Sequence, residues 1–437
     1  MNFSETSNVP RYDRLIETNS SGIPSNSEWY YGPQKWEMEN LAVSLSNSNG
    51  FYDKLKINLA KQEYKESRNS RKMGNLKLKQ QIEEVALYSI NVDAEKKFEE
   101  AKSRLFYGTE YTYNDVSSTA CQKNIVTGAT NATATRYPDK NEYSTAALYA
   151  SFMYKINEKF RISTGTRYSM VSATSTFADT SIMHFPFTGI DLSTSALSGS
   201  FGRVYIPLDD FKVNFNASSG YRAPNIDDLG KVFDTGNGIL IVPNESLKPE
   251  YAWNFDLGME KRFSNFVKAE ITGFYTYLQD AIVQRDFKFK GQDSVLYDGD
   301  YSKVQAMVNA SSATIYGVQA SAMADITENF ALKTHFTWMD GEDNDGNSLQ
   351  HVTPAFGSTH FIFTHNRIKV DFYASYSARV NAEDMAPDET DKVFIYAKDK
   401  NGNPYSPSWF TLNLKTSFQI TSQLQAYAGV ENVFDLR

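Results

Sequence analysis

The feature that most constrains this chain is a two-residue alternation of apolar and polar side chains, which recurs along its whole length. In residues 410–420, Phe410, Leu412, Leu414, Phe418 and Ile420 fall on one face of an extended segment, and Thr411, Asn413, Lys415, Ser417 and Gln419 on the other. Residues 251–260 repeat the pattern: Tyr251, Trp253, Phe255, Leu257 and Met259 alternate with Ala252, Asn254, Asp256, Gly258 and Glu260. Leu55, Ile57 and Leu59 against Lys54, Lys56 and Asn58, and Phe330, Leu332, Phe336 and Trp338 against Lys333, His335 and Thr337, obey the same rule. Helical spacing would mix these sets, because a helix groups residues three and four apart. About sixteen such segments occur, each predicting a strand with one oily and one wet face.

The connections alternate between short and long. Short turns are expected near Asn49, Asn157, Asp209, Ser264, Thr327, Asn366 and Thr421, with a slightly longer link at residues 96–101. Between them lie long polar links at residues 9–33, 66–78, 117–141, 174–195, 224–249, 286–303, 341–353 and 381–408. That asymmetry predicts an antiparallel transmembrane β-barrel with short periplasmic turns and long extracellular loops. Most segments exceed the roughly 9–11 residues needed to cross a bilayer, so strands are expected to project beyond it on the loop side.

Composition agrees. Aromatics form 14% of the 437 residues, with 27 Tyr and 29 Phe, while mean hydropathy is only -0.48 and no apolar run is long enough for a spanning helix. Ring clusters at segment ends, such as Trp29, Tyr30 and Tyr31, Tyr275 and Tyr277, or Trp409 and Phe410, suit interfacial girdles. A net charge of -8 without clustered Lys and Arg argues against nucleic acid. The single Cys121, expected in a loop, can build neither an internal disulfide nor a zinc site. Nothing marks a boundary, so residues 1–437 are read as one barrel domain.

Both ends of that barrel are expected to be missing. If residues 34–46 descend from a loop to a turn, residues 1–8 are the tail of a rising strand, and residues 423–431 rise toward a loop that Arg437 does not reach. No signal peptide follows Met1. Open edges cannot stay unpaired in hydrocarbon, so truncation at both termini is the simplest expectation.

Two stretches go beyond barrel grammar. Ser219, Gly220, Tyr221, Arg222, Ala223, Pro224 and Asn225 close a rising strand, and Val242, Pro243, Asn244, Glu245, Ser246, Leu247, Lys248, Pro249 and Glu250 follow the next loop. They resemble the paired boxes of TonB-dependent outer-membrane receptors, with Glu245 in place of the usual proline. Gly429, Val430, Glu431, Asn432, Val433, Phe434 and Asp435 are similar to the box before those receptors' last strand, and Ile315, Tyr316, Gly317, Val318 and Gln319 to another of their strands. The resemblance implies about sixteen of roughly twenty-two strands, an N-terminal plug not visible here, and ligand held between outer loops and plug. It also implies a TonB complex acting through the absent plug segment, outer-membrane lipid around a monomeric barrel, and a Gram-negative source.

The same resemblance implies energised uptake of a scarce small-molecule nutrient: a ferric chelate of siderophore type first, with haem, cobalamin and glycans as other classes. Haem receptors carry a histidine between the two boxes, and residues 225–241 have none. The five histidines are His184, His335, His351, His360 and His365, most of them within or beside expected strands, and His351, in an outer loop, is the one plausible axial ligand. The boxes themselves read as anchors. Pro224 cannot donate to a ladder, Gly220 permits a bend, Pro243 and Pro249 bracket the return, and Arg222 is expected to pair with Glu250 rather than touch ligand. Trp29, Tyr30 and Tyr31 are the candidate ligand-contact residues.

Other motifs carry less. Asp234, Thr235 and Gly236 match the aspartic-protease tripeptide without a second copy. Asp340, Glu342, Asp343 and Asp345 miss the EF-hand register, so a solvated loop is expected. Asn131, Asn216 and Asn309 begin N-x-Ser/Thr triplets, which mean nothing in a bacterium. Two rival readings are a passive sixteen-stranded porin and a barrel enzyme, the latter needing a Ser–His or Asp–His pair on the wall. No catalytic residue, resident cofactor or metal site is expected.

Overall fold

The computed structural model describes all residues except 20, 47–49, 99–101, 139, 177–188, 235–237, 298–299, 310–311, 351, 391–394 and 436–437. Among the described residues, twenty strands form one antiparallel sheet. Three of them, Val9–Pro10, Asn26–Tyr31 and Thr130–Ala132, are short loop pieces. The rest build a continuous wall in which each strand pairs with the next: Asn2–Glu5, Lys35–Ser46, Lys54–Lys72, Lys77–Phe98, Ser103–Asn124, Lys140–Lys155, Phe160–Thr176, Gly189–Leu208 and Phe211–Arg222, then Glu250–Phe263, Val267–Gln279, Ser312–Asp325, Phe330–Asp343, Phe356–His365, Ile368–Ser377, Trp409–Gln419 and Gln425–Val430. Among the described residues, nothing pairs with the outer edge of Asn2–Glu5 or of Gln425–Val430.

The alternation decides which way each side chain points. Directly paired residues share a face, so Phe255, Tyr275 and Tyr316 line up across three neighbouring strands, with Trp338 packed against Tyr316 at 6.0 Å. That face is oily and uncovered: Leu197 is 66% exposed and Leu257 49%. So many large exposed apolar residues would be a liability in water, and lipid is the solvent that accepts them. The opposite face carries Glu66, Arg68, Glu83, Asn91, Asp93 and Glu110, and lines the lumen. No described helix is long and apolar enough to cross a membrane.

The wall is uneven in height. Lys77–Phe98 and Ser103–Asn124 each run 22 residues, whereas Phe356–His365 and Ile368–Ser377 run 10. At about 3.3 Å per residue the tall strands reach roughly 70 Å along their length, more than twice the hydrocarbon core. The expected short turns are present at Asn157, Asp209, Ser264, Thr327, Asn366 and Thr421, while Asn49 lies outside the described residues. Several expected loops are strand instead. Lys54–Lys72 and Lys77–Phe98 leave only residues 73–76 between them, and Ser103–Asn124 consumes the start of the link placed at 117–141. Above the bilayer no lipid demands an oily face, so alternation fades although the backbone ladder continues. Cys121 accordingly sits on a strand opposite Gln80, not in a loop.

Gly317 shows how tightly the wall packs: a Cβ there would lie 2.4 Å from the Trp338 carbonyl oxygen and 2.6 Å from the Phe274 ring. Gly220 does not bend its strand as expected. It pairs regularly with Ala252, and pairing runs on to Arg222 opposite Glu250.

Candidate functional site

Among the described residues, most of the largest fully buried side chains, Leu229, Leu240, Val242, Val304, Pro138 and Pro224, lie in the outer loops and not in the wall. The described residues of 223–249 and 280–309 fold together as a cap containing a small sheet of its own: Phe233–Asp234, Ile239–Ile241, Ile282–Asp286, Ser294–Tyr297 and Asp300–Asn309. Two apolar cores hold it. Leu240, Val242, Val304 and Ala306 are essentially inaccessible and pack with Val232, Phe289 and Tyr297. Leu229, Leu247 and Ile282 close onto Ala173 and Ile190 of the wall. The cap therefore leans on the tall side, where Lys79 also donates to the Tyr297 hydroxyl at 3.4 Å.

The paired boxes are the hinge of this cap. Arg222 forms ion pairs with Glu250, as expected, and with Asp228 at 2.7 Å. Asp228 belongs to the helix Ile226–Gly230, which starts with a reciprocal cap: Asn225 accepts from the Asp228 amide at 3.0 Å and Asp228 accepts from the Asn225 amide at 3.0 Å. Glu250 also accepts the Ile282 amide at 2.8 Å, so one carboxylate ties wall to cap. Pro224 is fully buried, Ala223 nearly so, and Tyr221 packs on Tyr251 at 5.5 Å. Asn244 donates to the Met307 carbonyl at 2.7 Å, and Leu247 enters the second core. The Lys248 amide donates to Asn309 at 2.8 Å, just before Pro249 leads into the strand.

A second polar cluster joins cap to wall. Asp227 accepts from Arg136 at 2.8 Å, from the Tyr137 hydroxyl at 2.7 Å and from Lys231 at 3.2 Å. Burial would raise its pKa, but Lys231, Arg136 and Tyr137 outweigh burial and hold it down to about 2. Burial pushes the Tyr137 hydroxyl up and the Lys231 ammonium down. Below them on the inner wall, Arg68 pairs with Glu66 at 2.5 Å and Glu83 at 3.6 Å.

Trp29, Tyr30 and Tyr31 lie on the short strand Asn26–Tyr31, paired to the outer end of Lys54–Lys72. Trp29 and Tyr31 meet edge to face at 4.9 Å. The Arg11 guanidinium sits 5.5 Å from Trp29 and 5.6 Å from Tyr31, and Arg68 sits 5.4 Å from Tyr31. Arg11 is also paired with Asp13 at 2.5 Å, so together they make an aromatic surface of ion-paired guanidinium groups on the lumen side. Tyr30 alternates away from it, opposite Asn69. The C-terminal box is a turn: Asn432 adopts a left-handed backbone and donates its amide to Asn413 at 2.9 Å, and Asp435 donates to the Asn432 carbonyl at 2.8 Å, while Phe434 is exposed.

Of the other motifs, Asp343 spends its carboxylate on the amides of Asp345 and Asn347 at 3.0 and 2.9 Å. No metal-holding group occurs among the described residues. Asp234 is a cap strand residue, whereas Thr235, Gly236, His184 and His351 lie outside the described residues. Sequence reasoning missed Arg11, Arg68, Arg136, Tyr137, Asp227, Asp228 and Asn309. Only the Asn225–Asp228 spacing offered a local signal.

A family model described as "TonB dependent receptor-like, beta-barrel" matches residues 2–433. Over 257 residues, 55% of this chain and 22% of the relative, the chain is 26% identical to the hemoglobin and hemoglobin-haptoglobin-binding protein A of Haemophilus influenzae. Over 235 residues, 51% of this chain and 33% of the relative, it is 25% identical to the iron-regulated outer membrane virulence protein of Vibrio cholerae serotype O1. The solved structure of the copper transporter OprC shares its fold with a TM-score of 0.75 at 15% identity, over 93% of this chain and 60% of that one. The chain thus spans less than two thirds of the length of each. With its lipid-facing wall, its lumen and its hinged cap, the chain belongs to the TonB-dependent receptor-like β-barrel family of the Gram-negative outer membrane.

Proposed function

We propose that this barrel is the transmembrane part of a receptor that imports an iron-bearing chelate, with TonB supplying energy through a plug segment that fills the lumen. The observation that carries the reading is the hinged cap standing over a lumen mouth lined by Arg11, Trp29, Tyr31 and Arg68. Ring faces beside ion-paired guanidinium groups suit an aromatic chelate, since the faces give contact area and guanidinium planes stack on ring systems. The iron regulation in the name of the Vibrio cholerae relative supports the metal. A haem-protein ligand stands second, supported by the Haemophilus influenzae relative's name. The described histidines give it no outer-loop ligand, since His335, His360 and His365 are all on wall strands. A passive porin is disfavoured by a lumen mouth occupied by a packed cap.

The test is uptake of radioactive iron into iron-starved cells lacking other receptors, with a panel of ferric catecholates, ferric hydroxamates and haem. Uptake of a ferric chelate that disappears without TonB supports the proposal. Uptake of haem alone transfers the reading to the second ligand. TonB-independent ion conductance in planar bilayers, with no uptake, overturns it in favour of the porin.

A further inference from the structure

Away from the cap, one cluster of reactive side chains stands on the inner wall. His335, Ser358, His360 and Asp371 come from three successive strands, Phe330–Asp343, Phe356–His365 and Ile368–Ser377. Alternation places them opposite the exposed Phe336, Phe361 and Phe372, hence toward the lumen. Register brings them together: Ser358 lies directly across from His335, and Asp371 lies across from Ile362, one diagonal step from His360.

The hydrogen bonds run in one direction. A carboxylate only accepts, so His360 Nδ1–H donates to Asp371, at 3.0 and 3.1 Å to its two oxygens. In the neutral imidazole this leaves His360 Nε2 with a lone pair, 3.0 Å from Ser358 Oγ, to receive the hydroxyl proton. The Ser358 oxygen in turn accepts from His335 Nδ1–H at 3.1 Å. Tyr373 stacks on the His360 ring at 4.7 Å and 9°, which holds the ring in plane with its partners.

Nucleophilic acyl transfer requires a hydroxyl, a base bonded to it, and a carboxylate that sets the base's tautomer. All three are present. It also requires a donor for the developing oxyanion, and here the ladder engages the Ser358 backbone through both neighbouring strands. His335 supplies that donor, because its N–H already lies beside the nucleophilic oxygen.

We propose that Ser358 is an activated nucleophile that cleaves carboxylic esters small enough to reach the lumenal wall beside the plug. Ser358 Oγ bonds the acyl carbon while its proton passes to His360 Nε2, and His335 Nδ1–H turns to the resulting oxyanion. Collapse breaks the ester bond, and the leaving alcohol takes the proton from His360. Water, deprotonated by the same nitrogen, then releases the acid and restores the serine. Ser358 is 6% exposed and the His335 side chain is exposed, so attack requires that ring to turn aside as substrate enters and back to the oxyanion as it forms. This activity is independent of which nutrient the receptor carries.

The test uses the intact outer-membrane protein bearing this barrel, purified in detergent and shown to be folded by its heat-modifiable mobility. An alkyl fluorophosphonate is the labelling probe and p-nitrophenyl acetate the substrate. The expected result is one adduct, mapped to Ser358 by peptide mass and absent from Ser358→Ala. His360→Gln and Asp371→Asn keep the serine, so labelling slowed by at least about 100-fold in each reports lost base catalysis, not a lost target. His335→Ala should lower ester hydrolysis by about 100-fold, the usual effect of removing an oxyanion donor. An unlabelled folded barrel, an adduct elsewhere, or wild-type labelling of His360→Gln overturns the proposal.

Discussion

The lipid-facing wall and the loop cap solve opposite problems within one chain. The wall has almost no buried apolar core: most of its large aliphatic side chains point outward, and a continuous backbone ladder satisfies the amides that hydrocarbon cannot. The cap sits in water and is built like a miniature soluble domain, with two apolar cores, a capped helix and ion pairs at its hinge. The same residue type therefore means different things in the two places. Leu257 is half exposed because lipid is its solvent, whereas Leu240 is wholly inaccessible because water surrounds the cap.

Substitutions that exchange these logics should break the comparison in a graded way. Leu240→Ala leaves a cavity in the cap core and should destabilise the cap by about 2–5 kcal/mol. Hydrogen exchange should then show lost protection in residues 223–249 and 280–309 with the wall unchanged; equal loss in both would show that cap and wall are one cooperative unit. Leu257→Arg puts a charge on the lipid face and should cost about 2–4 kcal/mol if the residue lies at mid-bilayer. Reversible unfolding in vesicles measures it, and a negligible cost would place the residue at the interface.

Arg222→Ala attacks the joint between the two regions. It leaves Asp228 and Glu250, 9% and 14% exposed at their side chains, without their cation. Because Arg222 is itself 42% exposed, the cost should be about 1–3 kcal/mol, below that of breaking a fully buried pair. Faster proteolysis within the cap, with normal barrel mobility, is the expected readout.

The smallest effect concerns Asp227. Its folded pKa of about 2 lies below the ordinary 3.8, so its ionised form stabilises the cap at pH above 3.8. That contribution fades as pH falls through 3.8 toward 2. Partial exposure reduces it to about 1 kcal/mol. Asp227→Asn should flatten cap protection across that interval, and an unchanged pH profile would remove Asp227 from the joint.

How much was legible follows from which solvent each residue meets. Leu55, Ile57 and Leu59 announced their strand because lipid requires every second residue to be apolar. Residues 66–78 did not, because above the bilayer the same strand carries Ser67, Asn69 and Arg71 in the register that Leu55, Ile57 and Leu59 occupy lower down, on a ladder that no longer needs an oily face. The Arg222–Glu250 pair could be anticipated because both belong to a recognisable string. Asp228, six residues from Arg222, was signalled only as a helix cap by its spacing from Asn225, and its approach to Arg222 depends on the helical turn that Asn225 starts. His335, Ser358, His360 and Asp371 were visible only as scattered polar residues, and their contact is a product of strand register.

By itself, the sequence determined the barrel class, the inside and outside of each membrane segment, and the anchor boxes, because these rest on local alternation and on short strings. The tertiary structure alone decided the uneven wall, the cap folding toward its tall side, the cation–aromatic mouth and the lumenal serine cluster. Each depends on pairing between strands distant along the chain, and no local pattern encodes which residue will stand opposite which.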